Sequence, residues 1–176
     1  MKKLLYIAFL GIACIACNDS PQKPTEISQR VAPKKITANE DREAVKRDSV
    51  IAYAKKYMGT KYCYATEDPA KGFDCSGFVH YVFKHFDINL PRSSSGFKDI
   101  GKAKKPQDFM VGDVLVFYGY KDTNSIGHLG IITEANGMQS KFIHASSGSE
   151  MAVTVSELGS DGYTKRFYKC IDPFTL

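Results

Sequence analysis

The stretch KGFDCSGFVHYVFKHF, residues 71–86, places a cysteine in front of an apolar helical repeat. The apolar side chains in it recur at spacings of three and four residues, which predicts a helix over residues 74–86 with one buried face. Cys75 lies on that face, one turn before Phe78 and Val79, so we expect its sulfur to face the sheet on which the helix packs.

The position of Cys75 in the first helical turn suggests chemistry. Free backbone N–H groups and the positive end of the helix dipole are expected there to lower the thiol pKa. The small residues Ser76 and Gly77 would let a substrate approach, and the same N–H groups could act as oxyanion donors. The alternative is a buried structural thiol in a helix capped by Asp74.

The elements around this helix indicate the fold class. An earlier helix is predicted from Thr37 to Gly59, followed by a loop over 60–73. After the helix come five short strand patterns, at residues 113–118, 128–134, 140–147, 151–158 and 164–171. Helices followed by strands predict an α+β fold, in which N-terminal helices pack on one side of an antiparallel sheet of about five to six strands.

The N-terminus, MKKLLYIAFLGIACIACNDS, has the features of an export signal. Two lysines precede an apolar run that is too short for a permanent membrane span. The run ends in small residues and cysteine, which resembles the lipobox of bacterial lipoproteins. We expect residues 1–16 to be removed and Cys17 to carry the lipid, with Cys14 as the alternative acceptor. An ordinary signal peptide is the other interpretation.

The segment over residues 17–38 is polar and contains three prolines, so it is predicted to be a flexible tether after the lipidated Cys17. The folded domain is therefore predicted over 39–176. Loss of the signal peptide lowers the formal net charge from +5 to +3. The sequence contains no basic cluster with interleaved aromatic residues, so nucleic acid is not an expected partner.

Two of the four histidines are candidates for the base that a nucleophilic thiol requires. His80 lies across its helix from Cys75 and His85 toward the far end, so both are predicted at the surface. His128 begins one predicted strand and His144 lies inside the next, and both are expected to face the helix of Cys75. Alternatively, His128 is a surface residue at the end of a strand, and His144 is a core histidine whose ring nitrogens are hydrogen-bonded.

Five segments now combine into a recognisable pattern: FDCSGFVHYVF, LPRSS, VGDVLVFY, GHLGIITE and FIHASS. In this order they resemble the NlpC family of bacterial cell-wall cysteine peptidases, over about residues 45–172. The resemblance implies a papain-like fold with Cys75 as nucleophile, His128 as general base and His144 as the residue that orients His128. Residues 61–72 depart from the family, which usually has a proline and a Gly-Gly pair there.

The resemblance also implies a set of substrate-binding residues: Tyr62, Asp74, Ser76, Arg92 and Ser93. Asp74 and Ser76 match positions that recognise the free amino end of a peptide, and Tyr62 borders the site. Arg92 and Ser93 match a wall of the cleft. Simple loop packing is the alternative for Tyr62, Arg92 and Ser93.

The expected activity is hydrolysis of peptidoglycan stem peptides at γ-D-glutamyl–diamino acid bonds, without a metal or organic cofactor. The alternatives are an amidase at muramoyl-L-alanine and a non-catalytic lipoprotein that binds wall peptides. The protein is expected to be a monomer, exported and lipid-anchored to a bacterial membrane, facing the periplasm or the cell surface. Cys63 and Cys170 either form a disulfide with each other or remain two free thiols.

Overall fold

A computed structural model describes the backbone of residues 38–176, and the side chains from residue 43 onward except that of residue 45. The predicted signal peptide, the acceptor Cys17 with its alternative Cys14, the tether up to residue 37 and the helix start at Thr37 lie outside the described residues.

The described chain begins with two helices, which contact each other: α1 (Ala38–Lys55) and α2 (Cys75–Lys84). The Asp74 carboxylate caps α2 by accepting a hydrogen bond from the Gly77 N–H at 2.6 Å. A short helix, α3 (Asp161–Thr164), and three 3₁₀ turns follow, at Ser94–Phe97, Pro106–Asp108 and Pro173–Thr175. No helix within residues 38–176 has the length and apolar character needed to cross a membrane.

The strands form two antiparallel sheets. A ribbon of two residues per strand, β1 (Glu67–Asp68) with β2 (Gly72–Phe73), lies in the segment predicted to be a loop. The main sheet has the order β6-β5-β4-β3-β7. Its strands are β3 (Val114–Tyr118), β4 (Ile126–Glu134), β5 (Lys141–Ala145), β6 (Val153–Glu157) and β7 (Phe167–Ile171). The predicted α+β class and the five-stranded sheet are confirmed.

Both faces of the main sheet are buried. One face packs against α1 and α2 through side chains such as Leu129 and Ile131 of β4 and Phe78 and Val79 of α2. The other face carries a second apolar cluster, which includes Phe109, Leu115, Phe117, Ile132, Phe142 and Leu158. Tyr163 of α3 packs against this second cluster. The helices therefore lie on one side of the sheet, as predicted, and connecting segments with α3 cover the other.

A buried arginine ties α1 to the sheet and to the C-terminal segment. Arg47, with 2% of its side chain exposed, donates to Asp113 at 2.9 Å and to Asp172 at 2.6 Å. Its guanidinium also lies 4.3 Å from the centre of the Phe174 ring. Removal of one partner from such a buried pair leaves an uncompensated charge and typically costs about 3–5 kcal/mol.

Candidate active site

Cys75 is the first residue of α2, and its side chain reaches β4. The residue is 8% exposed, and its thiol donates to the carbonyl oxygen of Gly127 over a distance of 3.8 Å. The prediction that the sulfur faces the sheet is therefore confirmed.

The sulfur lies in a cavity of about 440 Å³ that we call the thiol cavity. All five predicted substrate-binding residues line it together with Cys75: Tyr62, Asp74, Ser76, Arg92 and Ser93. Tyr64, Ala65, Ser94 and Gly127 complete the wall. The fold thus places in one cavity residues that are up to 65 positions apart in the sequence, from Tyr62 to Gly127.

Arg92 organises the polar wall of the thiol cavity. Its guanidinium donates to both oxygens of Asp74, at 3.0 and 2.9 Å, and its Nε lies 2.9 Å from Glu67 Oε2. Glu67 in turn lies 2.8 Å from Nδ1 of His80. Glu67 and the contact of His80 were not predicted from the sequence, because both depend on the ribbon formed by β1 and β2.

The pKa of Cys75 is raised, to about 11, which contradicts the prediction that its helical position lowers it. Burial of the thiol is the largest cause, and the neighbouring Asp74 carboxylate adds to it. Backbone N–H groups of Leu129, Ser76 and Cys75 oppose the rise without overcoming it. The resting side chain is a neutral thiol.

A β-bulge at Gly127 separates Ile126 from His128, and the two side chains lie on opposite faces of the sheet. Phe117 pairs with His128, but the next residue, Tyr118, pairs with Ile126, so Gly127 is the extra residue on β4. Ile126 consequently packs in the helix-side cluster, whereas the His128 ring lies against Phe117. The prediction that the histidines face α2 is wrong, because side chains alternate across the sheet and this face is the one turned away from the helices.

The two histidines form a directed pair. His128 Nε2 lies 2.9 Å from His144 Nδ1, and His144 Nε2 lies 2.9 Å from the Ser156 hydroxyl. The Tyr163 hydroxyl is 3.4 Å from the same His144 nitrogen. These contacts occupy Nε2 of His128 and leave Nδ1 for a reacting partner. Ser156 and Tyr163 were not predicted, because nothing in the local sequence links them to His144.

Both imidazoles are held neutral. Burial lowers the pKa of His144 to about 4; the Glu150 charge opposes this shift and the Arg166 charge adds a smaller contribution to it. Burial likewise lowers the pKa of His128 well below its usual value, with smaller contributions from His144 and Arg166. In the resting protein the thiol of Cys75 and both imidazoles are therefore uncharged.

Comparison with known proteins decides the family. The model of the NlpC/P60 family matches residues 59–172, which are most of the chain. This chain belongs to the NlpC/P60 family. The family comprises bacterial cell-wall peptidases, so the resemblance seen in the sequence is confirmed.

The relatives carry the NlpC/P60 domain within longer chains. The γ-DL-glutamyl hydrolase of Bacillus subtilis (strain 168) is 39% identical over 113 residues, which are 64% of this chain and 26% of the relative. The γ-D-glutamyl-L-lysine dipeptidyl-peptidase of Bacillus cereus (strain ATCC 10987 / NRS 248) is 29% identical over 120 residues, 68% of this chain and 34% of the relative. This chain thus matches about a quarter to a third of their lengths.

The fold is that of solved NlpC/P60 proteins. A crystal structure of a family member from Bacillus cereus ATCC 10987 superposes with a TM-score of 0.62 at 26% identity, covering 72% of this chain and 39% of that one. The papain-like fold predicted from the sequence is confirmed.

In this NlpC/P60 domain a second cavity, of about 530 Å³, borders His128, and we call it the imidazole cavity. Its wall includes Tyr120, Gly127, His128, Glu150, Tyr163 and Arg166. Gly127 lines both cavities, so the thiol and imidazole cavities meet at the bulge. The sequence analysis did not identify Glu150 or Arg166, since neither belongs to a family motif.

The described cysteines are unpaired. Cys63, Cys75 and Cys170 are all free thiols, so of the two alternatives for Cys63 and Cys170 the structure has the free thiols. Cys170 lies in β7, where burial and the nearby Asp113 carboxylate raise its pKa. Such a thiol is inert toward oxidation and metal binding, and its role is packing.

Proposed function

We propose that this protein is an exported cysteine peptidase that cleaves peptidoglycan stem peptides at γ-D-glutamyl–diamino acid bonds. Cys75 is the nucleophile, His128 the general base and acid, and His144 positions His128. The observation that carries the proposal is the directed hydrogen-bond chain from His128 through His144 to Ser156, beginning one residue from the carbonyl that Cys75 contacts. Membership of a cell-wall peptidase family and the two glutamyl-specific relatives support the substrate.

The chemistry starts from the neutral thiol and the neutral imidazole. Cys75 Sγ attacks the carbonyl carbon while its proton passes to His128 Nδ1. His128 then protonates the leaving amine as the C–N bond breaks, which leaves a thioester on Cys75. Water attacks the thioester and gives a proton to His128, and the C–S bond breaks to release the acid as His128 returns that proton to Cys75 Sγ.

The first turn of α2 supplies donors for the oxyanion of the tetrahedral intermediate. The Gly77 N–H is already taken by the Asp74 carboxylate. The Cys75 and Ser76 N–H groups are helix-start amides without a partner in the helix, and they face the Cys75 sulfur, so we assign the oxyanion to them.

The thiol cavity receives the glutamyl side of the peptide in this proposal. Asp74 and Ser76 recognise the free amino end, Tyr62 borders the site, and Arg92 with Ser93 forms the wall. Arg92 holds the Asp74 carboxylate in a bidentate contact, so the acid is already oriented before the peptide arrives. Lipidation of Cys17 would hold the domain at a bacterial membrane close to this substrate.

Mass spectrometry of defined stem peptides incubated with the full chain tests the proposal. We expect the wild type to cut between γ-D-glutamate and the diamino acid, and Cys75→Ala to cut at less than about a thousandth of that rate. Equal thermal stability of the two proteins is the control for folding.

The fragment masses also discriminate the alternatives. A cut between muramic acid and L-alanine would make the protein an amidase. Binding of stem peptides without a cut in either protein would make it a non-catalytic wall-binding protein.

A further inference from the structure

The imidazole cavity carries two opposite charges to which the mechanism assigns no task. Glu150 and Arg166 both line this cavity of about 530 Å³. They do not pair with each other, and neither forms a salt bridge with another residue that the structure describes. A pair of unneutralised charges on one wall, next to His128, points to a ligand that carries both signs.

We propose that the imidazole cavity is the leaving-group subsite, in which Glu150 binds the side-chain ammonium of the diamino acid and Arg166 binds its carboxylate. This inference rests on the proposed function. His128 must protonate the leaving amine, so the amine-bearing half of the substrate lies on the His128 side of the scissile bond. Cys75 lines the other cavity, and the two cavities meet at Gly127.

Glu150 is oriented and ionised. Its two oxygens accept hydrogen bonds from the Ser149 hydroxyl at 2.9 Å and from the Ser146 hydroxyl at 3.2 Å. A hydrogen bond from its own backbone N–H is the largest cause lowering its pKa, and the two serines add to it. An oriented carboxylate with oxygen lone pairs left over is a suitable partner for a primary ammonium.

Arg166 is held in place by neutral groups. Its guanidinium donates to the Gly162 carbonyl at 3.0 Å and to the Tyr118 carbonyl at 3.4 Å. It also lies 5.2 Å from the ring centre of Tyr163 and 5.1 Å from that of Tyr120. Carbonyls and rings fix the group without cancelling its charge, so the charge remains available to a carboxylate.

The position of Arg166 relative to His128 decides the order of the two subsite charges. Arg166 lies 5.2 Å from the centre of the Tyr163 ring, which stacks on the His128 ring at 6.1 Å. The Arg166 charge accordingly lowers the pKa of His128, whereas the Glu150 charge acts on His144. In a diamino acid the α-carboxylate is attached to the carbon that bears the leaving amine, whereas the side-chain ammonium is several bonds away. We therefore assign the substrate α-carboxylate to Arg166 and the side-chain ammonium to Glu150. The preferred substrate then ends in a diamino acid with a free carboxylate.

Four matched peptides test this assignment with the full chain. Each is L-Ala-γ-D-Glu-X, where X is lysine or norleucine, with the α-carboxylate free or amidated. Norleucine lacks only the terminal amine of lysine. We expect the wild type to prefer lysine over norleucine, and the free acid over the amide, by about three- to tenfold each in kcat/KM.

Charge-removing variants then separate the two contacts. Glu150→Gln should abolish the lysine preference and leave the acid preference, whereas Arg166→Gln should do the reverse. Arg166→Lys, which retains the charge, should keep part of the acid preference. Glu157→Gln and Lys165→Gln are the matched controls outside the cavity, and both preferences should survive in them.

The outcomes distinguish the two proposals. A wild type that cleaves all four peptides equally well would overturn the subsite while leaving the peptidase standing. A Glu150→Gln or Arg166→Gln variant that lowers all four rates alike would show a structural role and overturn the assignment of that residue. If the wild type cleaves none of the four, the proposed function fails and the subsite fails with it.

Discussion

At the scale of single residues, Cys75 is the residue whose environment differs most from what its local sequence predicts. A cysteine at a helix start usually has a lowered pKa, because the helix dipole and free amides favour the thiolate. Here the residue is 8% exposed and stands next to the Asp74 carboxylate. Burial and that charge raise the pKa to about 11, so in the mechanism that we propose proton transfer to His128 accompanies the attack of the sulfur rather than preceding it.

Alkylation of Cys75 should therefore be slow at neutral pH. With a pKa of about 11, roughly one thiol in ten thousand is ionised at pH 7. We expect the iodoacetamide rate to rise about tenfold per pH unit up to about pH 10, followed by mass spectrometry of the peptide that contains Cys75. A plateau reached near pH 7 would show a preformed thiolate and contradict this assignment.

Asp74→Asn gives the matched control for the charge. Asparagine caps a helix about as well as aspartate, so α2 should persist while the negative charge beside the thiol is lost. The alkylation profile should then shift to lower pH. An unchanged profile would assign the raised pKa to burial alone.

At the scale of elements, strand β4 connects the core to the histidines. An added Cβ at Gly130 would lie 2.3 Å from the Phe142 ring of β5. Only glycine at position 130 therefore leaves room for that ring against β4. The Phe142 ring in turn lies 4.8 Å from the His144 ring. The glycine in the GHLGI motif thus supports the position of His144 through one aromatic side chain.

Gly130→Ala should lower the free energy of unfolding by about 1–3 kcal/mol, because Phe142 must leave its place in the second apolar cluster. Chemical denaturation measures this loss. Gly162→Ala, where an added Cβ meets nothing within 4 Å, is the matched control and should change stability by less than about 0.5 kcal/mol. Equal effects of the two substitutions would contradict the packing argument.

At the scale of the whole molecule, two neutral imidazoles buried on one face of the sheet make the fold sensitive to acid. His144 has no exposed surface, and burial is the main cause that lowers its pKa to about 4, from 6.5. The unfolded chain therefore binds a proton that the folded chain excludes between these two pH values. The pKa of His128 is shifted in the same direction and acts in the same sense.

Stability should accordingly be complete above about pH 6.5 and fall as the pH is lowered toward 4. His144 alone accounts for a loss of about 3 kcal/mol, since each pKa unit corresponds to about 1.4 kcal/mol. Denaturation at a series of pH values measures the slope. His144→Gln, which cannot be protonated, should flatten it, and an equally steep slope in this variant would show that other groups carry the acid sensitivity.

The sequence alone predicted most of the elements and indicated the residues to which we assign the reaction. Apolar spacing predicted α2 and the Asp74 cap placed its start, both of which depend on residues three or four positions apart. The five strands followed from short apolar runs between turn residues. The motifs around Cys75, His128 and His144 indicated the family. The strands β1 and β2 were missed, because two residues each are too few to show a period.

Tertiary structure decided the faces, the charges and the second cavity. The packing of α1 and α2 on the face of Leu129 and Ile131 left His128 and His144, which alternate with those residues, on the opposite face of the sheet. The raised pKa of Cys75 depends on burial, and the approach of Glu150 and Arg166 to one cavity depends on how loops from separate strands meet. Register, burial and loop contacts arise between residues far apart in the chain, so no local pattern in the sequence contains them.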